Sequence, residues 1–161
     1  MVINQQIAEK KYTAAVENAD ALLQVYSGKE AHLLKATAVM EGKKHFQNDE
    51  KVFTAAEFHL NKAIQLDSNY HWAHGRLGLL YLTFHQFEKS IASYTTYLKL
   101  SSDSLELFNG YTDRGTAKSL AGDTEGAIED YYTAMKYNAT HFSIYQNLGA
   151  FLINAERLEE A

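Results

Sequence analysis

The sequence predicts an all-α chain, an α-solenoid of antiparallel helix hairpins stacked in tandem. Three observations predict it: segments recur at a period near 34 residues, apolar residues within each segment step by three and four, and the turn punctuation of a β protein is missing. The 161 residues contain no proline and nine glycines, and 46% are apolar, a composition that suits helices joined by short turns better than the strands of a sandwich. A chain of this length can withdraw roughly 70% of its extended surface from water, so no disulfide or metal staple is needed to hold it.

The repeat is visible when the chain is laid against itself. AHGRLGLLYL, YTDRGTAKSL and IYQNLGAFLI align on Gly78, Gly115 and Gly149, which are 37 and 34 residues apart. Twelve positions after each glycine stands a small residue, Ser90, Ala127 or Ala161. Upstream, YTAAVENADALLQV and FTAAEFHLNKAIQL place Ala15 and Ala56 in the same register. The series steps by 41, 34, 37 and 34, a 34-residue period with insertions of 7 and 3. Periods of this size belong to stacked helical hairpins.

Each element follows in order. Val2 to Lys10 reads as a short, incomplete helix, and the segment from Tyr12 as its partner. His32 to Leu66 is the weakest unit: its glycine is replaced by Ala36 or Thr37, and EGKKHFQNDEKV lengthens the turn between its helices. Such an insertion projects from one rim of the stack, or the helix Asp49–Leu66 simply starts a turn or two early. In the next unit His74, Leu77, Gly78, Tyr81 and Phe84 form one apolar stripe, and Phe87, Ile91, Tyr94 and Leu98 another. Gly78, Gly115 and Gly149 then face the small residues of the second helices, where a missing side chain lets two backbones approach. Asp103 with Glu106 forms a capping box, and Gly122 closes one helix in a left-handed conformation before Asp123 caps the next. The resulting organisation is one array: a partial repeat over 1–29, a degenerate repeat with an inserted turn over 30–70, repeats over 71–107 and 108–141, and a truncated repeat over 142–161.

These residues resemble the tetratricopeptide repeat family, whose signature runs from an aromatic through Leu-Gly and Tyr to a small residue and a second aromatic. Leu77-Gly78, Tyr81, Phe87, Ser90, Ile91, Tyr94 and Leu98 match it in one unit, Tyr111, Gly115, Ala127, Ile128, Tyr131 and Met135 in the next, and Tyr145, Leu148-Gly149, Leu158 and Ala161 in the last. The proline usual at the end of a unit is replaced by Ser27, Ser68, Ser102 and Ala139, and the small residue late in the second helix is Tyr97 in the third unit. The resemblance implies a right-handed superhelix and a non-catalytic scaffold that binds a peptide segment or helix of another protein in its concave groove. A docking or regulatory segment of a larger enzyme or signalling protein is the alternative.

Mapped by face, the groove positions are Trp72, Arg76, Leu79 and Thr83, then Asn109, Thr112, Asp113 and Thr116, then Gln146, Asn147, Ala150 and Asn154. The stripe is polar and largely uncharged, and asparagine and glutamine side chains suit the N–H and C=O groups of an extended backbone. Trp72 and Arg76, four apart, form an anchor pair. The family's clamp for acidic C-terminal tails, built from two lysines, an arginine and asparagines, is absent: its places carry Leu34, Ala38, Arg76, Asn109 and Asp113. An acidic Asp113 there repels a terminal carboxylate.

Other chemistries fit less well. The net charge is -5, and from Leu105 onward four basic residues face nine acidic ones, so no basic stripe serves a nucleic acid. No apolar run is long enough for a membrane span and no secretory signal opens the chain, so the expectation is a soluble protein, cytoplasmic in preference to secreted. With no cysteine, thiol nucleophiles and thiolate metal sites are excluded. His71 and His74 share a face but lack the third and fourth ligands of a metal site, so the histidines read as packing or surface residues. No phosphate loop or catalytic triad is present, and no cofactor is expected. Glu129-Asp130 and Glu159-Glu160 read as a solvated face, and Tyr81, Tyr94, Tyr111, Tyr131 and Tyr145 as core. The chain ends inside a helix, which predicts a fragment of a longer protein, or self-association through an apolar end near Leu148, Phe151 and Leu152.

Overall fold

The computed structural model describes residues 2–46, 48–138, 145, 148 and 149. Among the described residues every regular element is a helix and there is no strand: α1 (Val2–Ala8), α2 (Tyr12–Val25), α3 (Lys29–Glu41), α4 (Lys43–Phe46), α5 (Asp49–Leu66), α6 (His71–Thr83), α7 (Phe87–Leu100), α8 (Ser104–Leu120) and α9 (Thr124–Met135). The chain divides into two compact units, Met1–Leu80 and Tyr81–Ala161.

In the first unit α2 packs on α1 and α3, and α3 packs on α5. Ile3, Ala15, Ala19 and Ala38 are buried together, with Ile7, Val16, Leu22 and Leu34 around them. The inserted segment shows the early helix start read from the sequence, together with a short helix that was not. It folds into the four-residue α4, and α5 does begin at Asp49, where the Asn48 side chain accepts from the Lys51 amide at 2.9 Å and Asp49 and Glu50 complement the helix dipole. Ala36 is fully buried and Thr37 only half-buried, so Ala36 occupies the small-residue position that glycine holds elsewhere.

In the second unit α8 packs on α7 and α9. Phe108, Ala127, Ile128, Tyr131, Ala134 and Leu148 form its core, flanked by Tyr111 and Met135. The small-residue series holds wherever it is described: Ala15, Ala56, Ser90 and Ala127 are each fully buried, and Ala161 lies outside the described residues. A methyl group at Gly115 would stand 3.2 Å from the Ala127 carbonyl oxygen and 3.3 Å from Asp130 Cβ and Tyr131 Cε1, the close approach read from the register. Gly78 is buried. Gly149 has nothing within 4 Å of such a methyl group, so the contact expected of it is not found among the described residues.

The irregular Tyr97 has its compensation on the facing helix. It is buried, and a methyl group at Gly110 of α8 would fall 2.8 Å from its Cε1 and 2.7 Å from Leu98 Cδ2. A large residue on α7 is thus matched by a missing side chain on α8, which conserves volume at the contact.

The hairpin turns share one geometry. After α8, the Gly122 amide donates to the Ser119 carbonyl at 3.0 Å and the Asp123 amide to Lys118 at 2.9 Å, with Gly122 at φ 89°. That is a Schellman closure, and Asp123 then caps α9 by accepting from the Gly126 amide at 3.0 Å. Lys10 and His85 hold the same left-handed position at φ 59° and 58°, each five residues before the buried small residue Ala15 or Ser90. At the start of α8 the Asp103 carboxylate accepts from the Leu105 and Glu106 amides at 2.9 and 3.1 Å.

Three expectations are corrected. Asp130 is 4% exposed and not part of a solvated face: neighbours on a helix diverge by about 100°, so Glu129 meets water while Asp130 faces two cations of α8. Leu148, expected on an exposed apolar end, is buried because its spacing turns it toward the core formed by Phe108 and Tyr131. Tyr145, expected in the core, is 46% exposed. Tyr81, Tyr94 and Tyr131 are buried as expected, and Tyr111 is half-buried.

Candidate functional site

The residues singled out as a partner surface fall on α6 in the first unit and α8 in the second. On α6, Trp72 is 47% exposed in the first helical turn and its ring lies tilted over His71, centroids 4.9 Å apart. Arg76 is half-buried on the same helix. Its Nη1 donates to Glu41 of α3 at 3.3 Å in an exposed ion pair. Leu79 is half-buried. His71 and His74 also part company, since His74 Nε2 meets the Ser68 carbonyl at 3.0 Å. Among the described residues no group of three or more His, Asp or Glu side chains is placed to hold a metal ion.

On α8 the four expected residues share a face but not a role. The Thr112 hydroxyl donates to the Phe108 carbonyl at 2.8 Å, and the Thr116 hydroxyl bonds the Thr112 carbonyl and the Tyr131 hydroxyl, both at 3.0 Å. Both threonines are therefore committed to the helix and its core. Asn109 is exposed, which leaves its amide open to a partner. Asp113 is half-buried, and burial pushes its carboxyl up to about 6, partly offset by the Tyr94 hydroxyl of α7. Thr83 is exposed at the end of α6. Gln146, Asn147, Ala150 and Asn154 lie outside the described residues.

Two clusters escaped the sequence. Arg114 meets Asp130 through two parallel bonds, Lys118 joins Asp130 at 3.1 Å, and Arg114 Nη1 reaches Thr95 Oγ1 at 3.1 Å. Its guanidinium also sits over the Tyr111 ring, 5.3 Å from the centroid. The hydrogen bond to Asp130 raises the Arg114 pKa against the opposing effect of burial. The available signal was the spacing of Arg114 and Lys118, four apart on one helix face. In the first unit, His32 of α3 and His59 of α5 meet with Nδ1 atoms 2.9 Å apart. Burial first, then the neighbouring His32 and Lys35 charges, depress His59 to about 4, and burial lowers His32 as well.

An open cleft of about 590 Å³ lies among α1, α2 and α3, lined mainly by Val2, Ile3, Leu22, Val25, Tyr26 and Leu34. Val25 and Val2 are 84% and 62% exposed there, an apolar surface of the kind that marks interaction sites. No described helix is long and apolar enough to cross a membrane.

No protein-family profile matches the sequence, and no curated protein matches it. Solved structures do match. A thermophilic TPR protein from Thermus thermophilus superposes with a TM-score of 0.79 at 16% identity, covering 94% of this chain and 78% of that one. MamA from Desulfovibrio magneticus gives 0.79 at 14% identity over 99% of this chain and 84% of its own. YrrB, described as a TPR protein with an unusual peptide-binding site, gives 0.73 at 12% identity over 90% and 70%. Identities this low carry the fold, and together with the buried small-residue series and the recurring hairpin closure they establish that the chain has the tetratricopeptide-repeat fold.

Proposed function

We propose that this chain is a non-catalytic protein-interaction module that holds a peptide segment or helix of a partner protein on exposed faces of its first helices, with Trp72 on α6 serving in the first unit and Asn109 on α8 in the second. The observation that carries the reading is Trp72, a large aromatic 47% exposed on a first helix. A tryptophan in that position supplies contact area at low entropic cost, and residues of this kind dominate binding energy at protein interfaces. Asn109 adds an amide able to bond a partner's backbone in both directions. The similarity to a TPR protein with a peptide-binding site supports the same class of function. In the second unit Arg114 and Lys118 are both paired with Asp130, an arrangement that joins α8 to α9.

The test is capture from native lysate by the wild-type chain and by the Trp72→Ala, Asn109→Ala double variant, followed by mapping of the retained peptides. The double variant should retain its partner about tenfold less well with an unchanged helical circular dichroism spectrum. Equal capture by both proteins contradicts the assignment of these faces.

A further inference from the structure

Asp113 differs from the charged cluster beside it on α8. Arg114, Lys118 and Asp130 are half-buried or buried, and each is ion-paired. Asp113 is half-buried too, yet among the described residues no lysine or arginine pairs with it, and no cation contributes to its ionisation. The two cations nearest in sequence, Arg114 and Lys118, are both turned onto Asp130. Tyrosine hydroxyls bear on it instead: that of Tyr94 on α7 lowers its carboxyl against the effect of burial, and the Asp113 charge adds to burial in raising Tyr97 and Tyr131. Part of the side chain stays open to solvent, on the same face as Asn109. A half-buried carboxylate without a cation is the chemistry that receives an ammonium or guanidinium group, through a charge-assisted hydrogen bond.

We propose that Asp113 selects the partner, by taking a lysine or arginine side chain of the segment that lies along α8. The proposal rests on the reading of α8 as a partner face. Leaving a carboxylate half-buried without a cation costs stability, and residues that break a packing rule without a local return mark functional positions. The excess of acidic over basic residues from Leu105 onward attracts a cationic segment and disfavours an acidic one. With Thr112 and Thr116 committed to internal bonds, the charges on this face are acidic, Asp113 and, seven residues earlier, Glu106.

The experiment measures fluorescence polarisation of seven-residue acetylated Ser/Ala peptides that differ only at the central position, which is lysine, arginine, norleucine, glutamine or glutamate. They are titrated with the full chain and with Asp113→Asn, whose melting temperatures are also recorded at pH 7. On the wild type, the lysine and arginine peptides should bind about tenfold more tightly than norleucine, and glutamate most weakly. In Asp113→Asn the five peptides should fall within about twofold of one another while the melting temperature rises by about 2–4 °C, because an unpaired buried charge has gone. A merely structural Asp113 would lower the melting temperature instead and leave the ranking unchanged, which overturns the proposal. If peptides shift the Asn109 and Thr116 backbone amide resonances without preferring lysine, charge selection by Asp113 fails and the α8 face stands. If peptides bind but leave those amides unmoved, or none binds, the α8 reading fails and this proposal with it.

Discussion

Arg114 and Asp130 join α8 to α9 through a planar fork, Nε to Oδ2 at 2.8 Å and Nη2 to Oδ1 at 2.7 Å. With Lys118 on the same carboxylate, Asp130 is the partner of both cations, and its removal strands the two of them. Asp130→Ala should destabilise the chain by about 3–5 kcal/mol in urea unfolding at neutral pH. A loss below about 1 kcal/mol, the usual worth of an exposed pair, would show that the fork is incidental.

The two close approaches on α8 predict different outcomes by size. Gly115→Leu should overpack the contact with Ala127 and Tyr131 and cost about 1–3 kcal/mol. Gly110→Ala drives a methyl group against Tyr97, and the companion change Tyr97→Phe leaves that clash in place, whereas Tyr97→Ala in the same chain relieves it. Thermal unfolding of the single and double variants separates the two, and an additive pair would show that Gly110 and Tyr97 do not share the space.

Three hairpins turn on a left-handed residue, and only one of these is glycine. Gly122→Ala should lose about 1 kcal/mol, while His85→Gly should gain up to about 1 kcal/mol by relieving a conformation that side chains disfavour. Denaturant midpoints compare the two directly, and a loss in His85→Gly would mean that its ring, which meets Phe87 edge-on, contributes more than the strain costs.

The His32 and His59 pair makes the first unit sensitive to acid. His59 titrates near 4 in the fold and near 6.5 in an unfolded chain, so between those values the unfolded state binds the proton and the native state does not. Stability is therefore full above about pH 6.5 and declines as pH falls toward 4, by on the order of 2 kcal/mol after solvent screening. Urea unfolding at pH 7 and 4.5 should show that decline shrink in His59→Gln, and an identical decline in both proteins would place the acid sensitivity elsewhere.

What could be read from the sequence was what depends on neighbours along the chain. The hairpin period, the buried alanines and the Gly122–Asp123 turn follow from spacing alone, and α5 begins where Asn48, Asp49 and Glu50 place its cap. Side-chain partners across helices did not follow. Which of two adjacent carboxylates faces α8 is decided by helix rotation, so Asp130 reads like Glu129 until Arg114 is seen against it. Arg76 looks free beside Trp72 in sequence because Glu41 comes from another helix, 35 residues away. Thr116 looks available because Tyr131, which its hydroxyl meets, comes from another helix, whereas the Thr112 bond to the Phe108 carbonyl is the local one common for threonine within a helix.

The most direct test of partner binding along the first helices is site-specific photocrosslinking. A photoreactive residue is placed at Trp72 on α6 or Asn109 on α8, and for comparison at the exposed Phe58 on α5 or Tyr132 on α9. Crosslinks to the captured partner should form from Trp72 and Asn109 and be scarce from Phe58 and Tyr132. Crosslinks concentrated at Phe58 and Tyr132 would place the partner on the second helices and contradict the account.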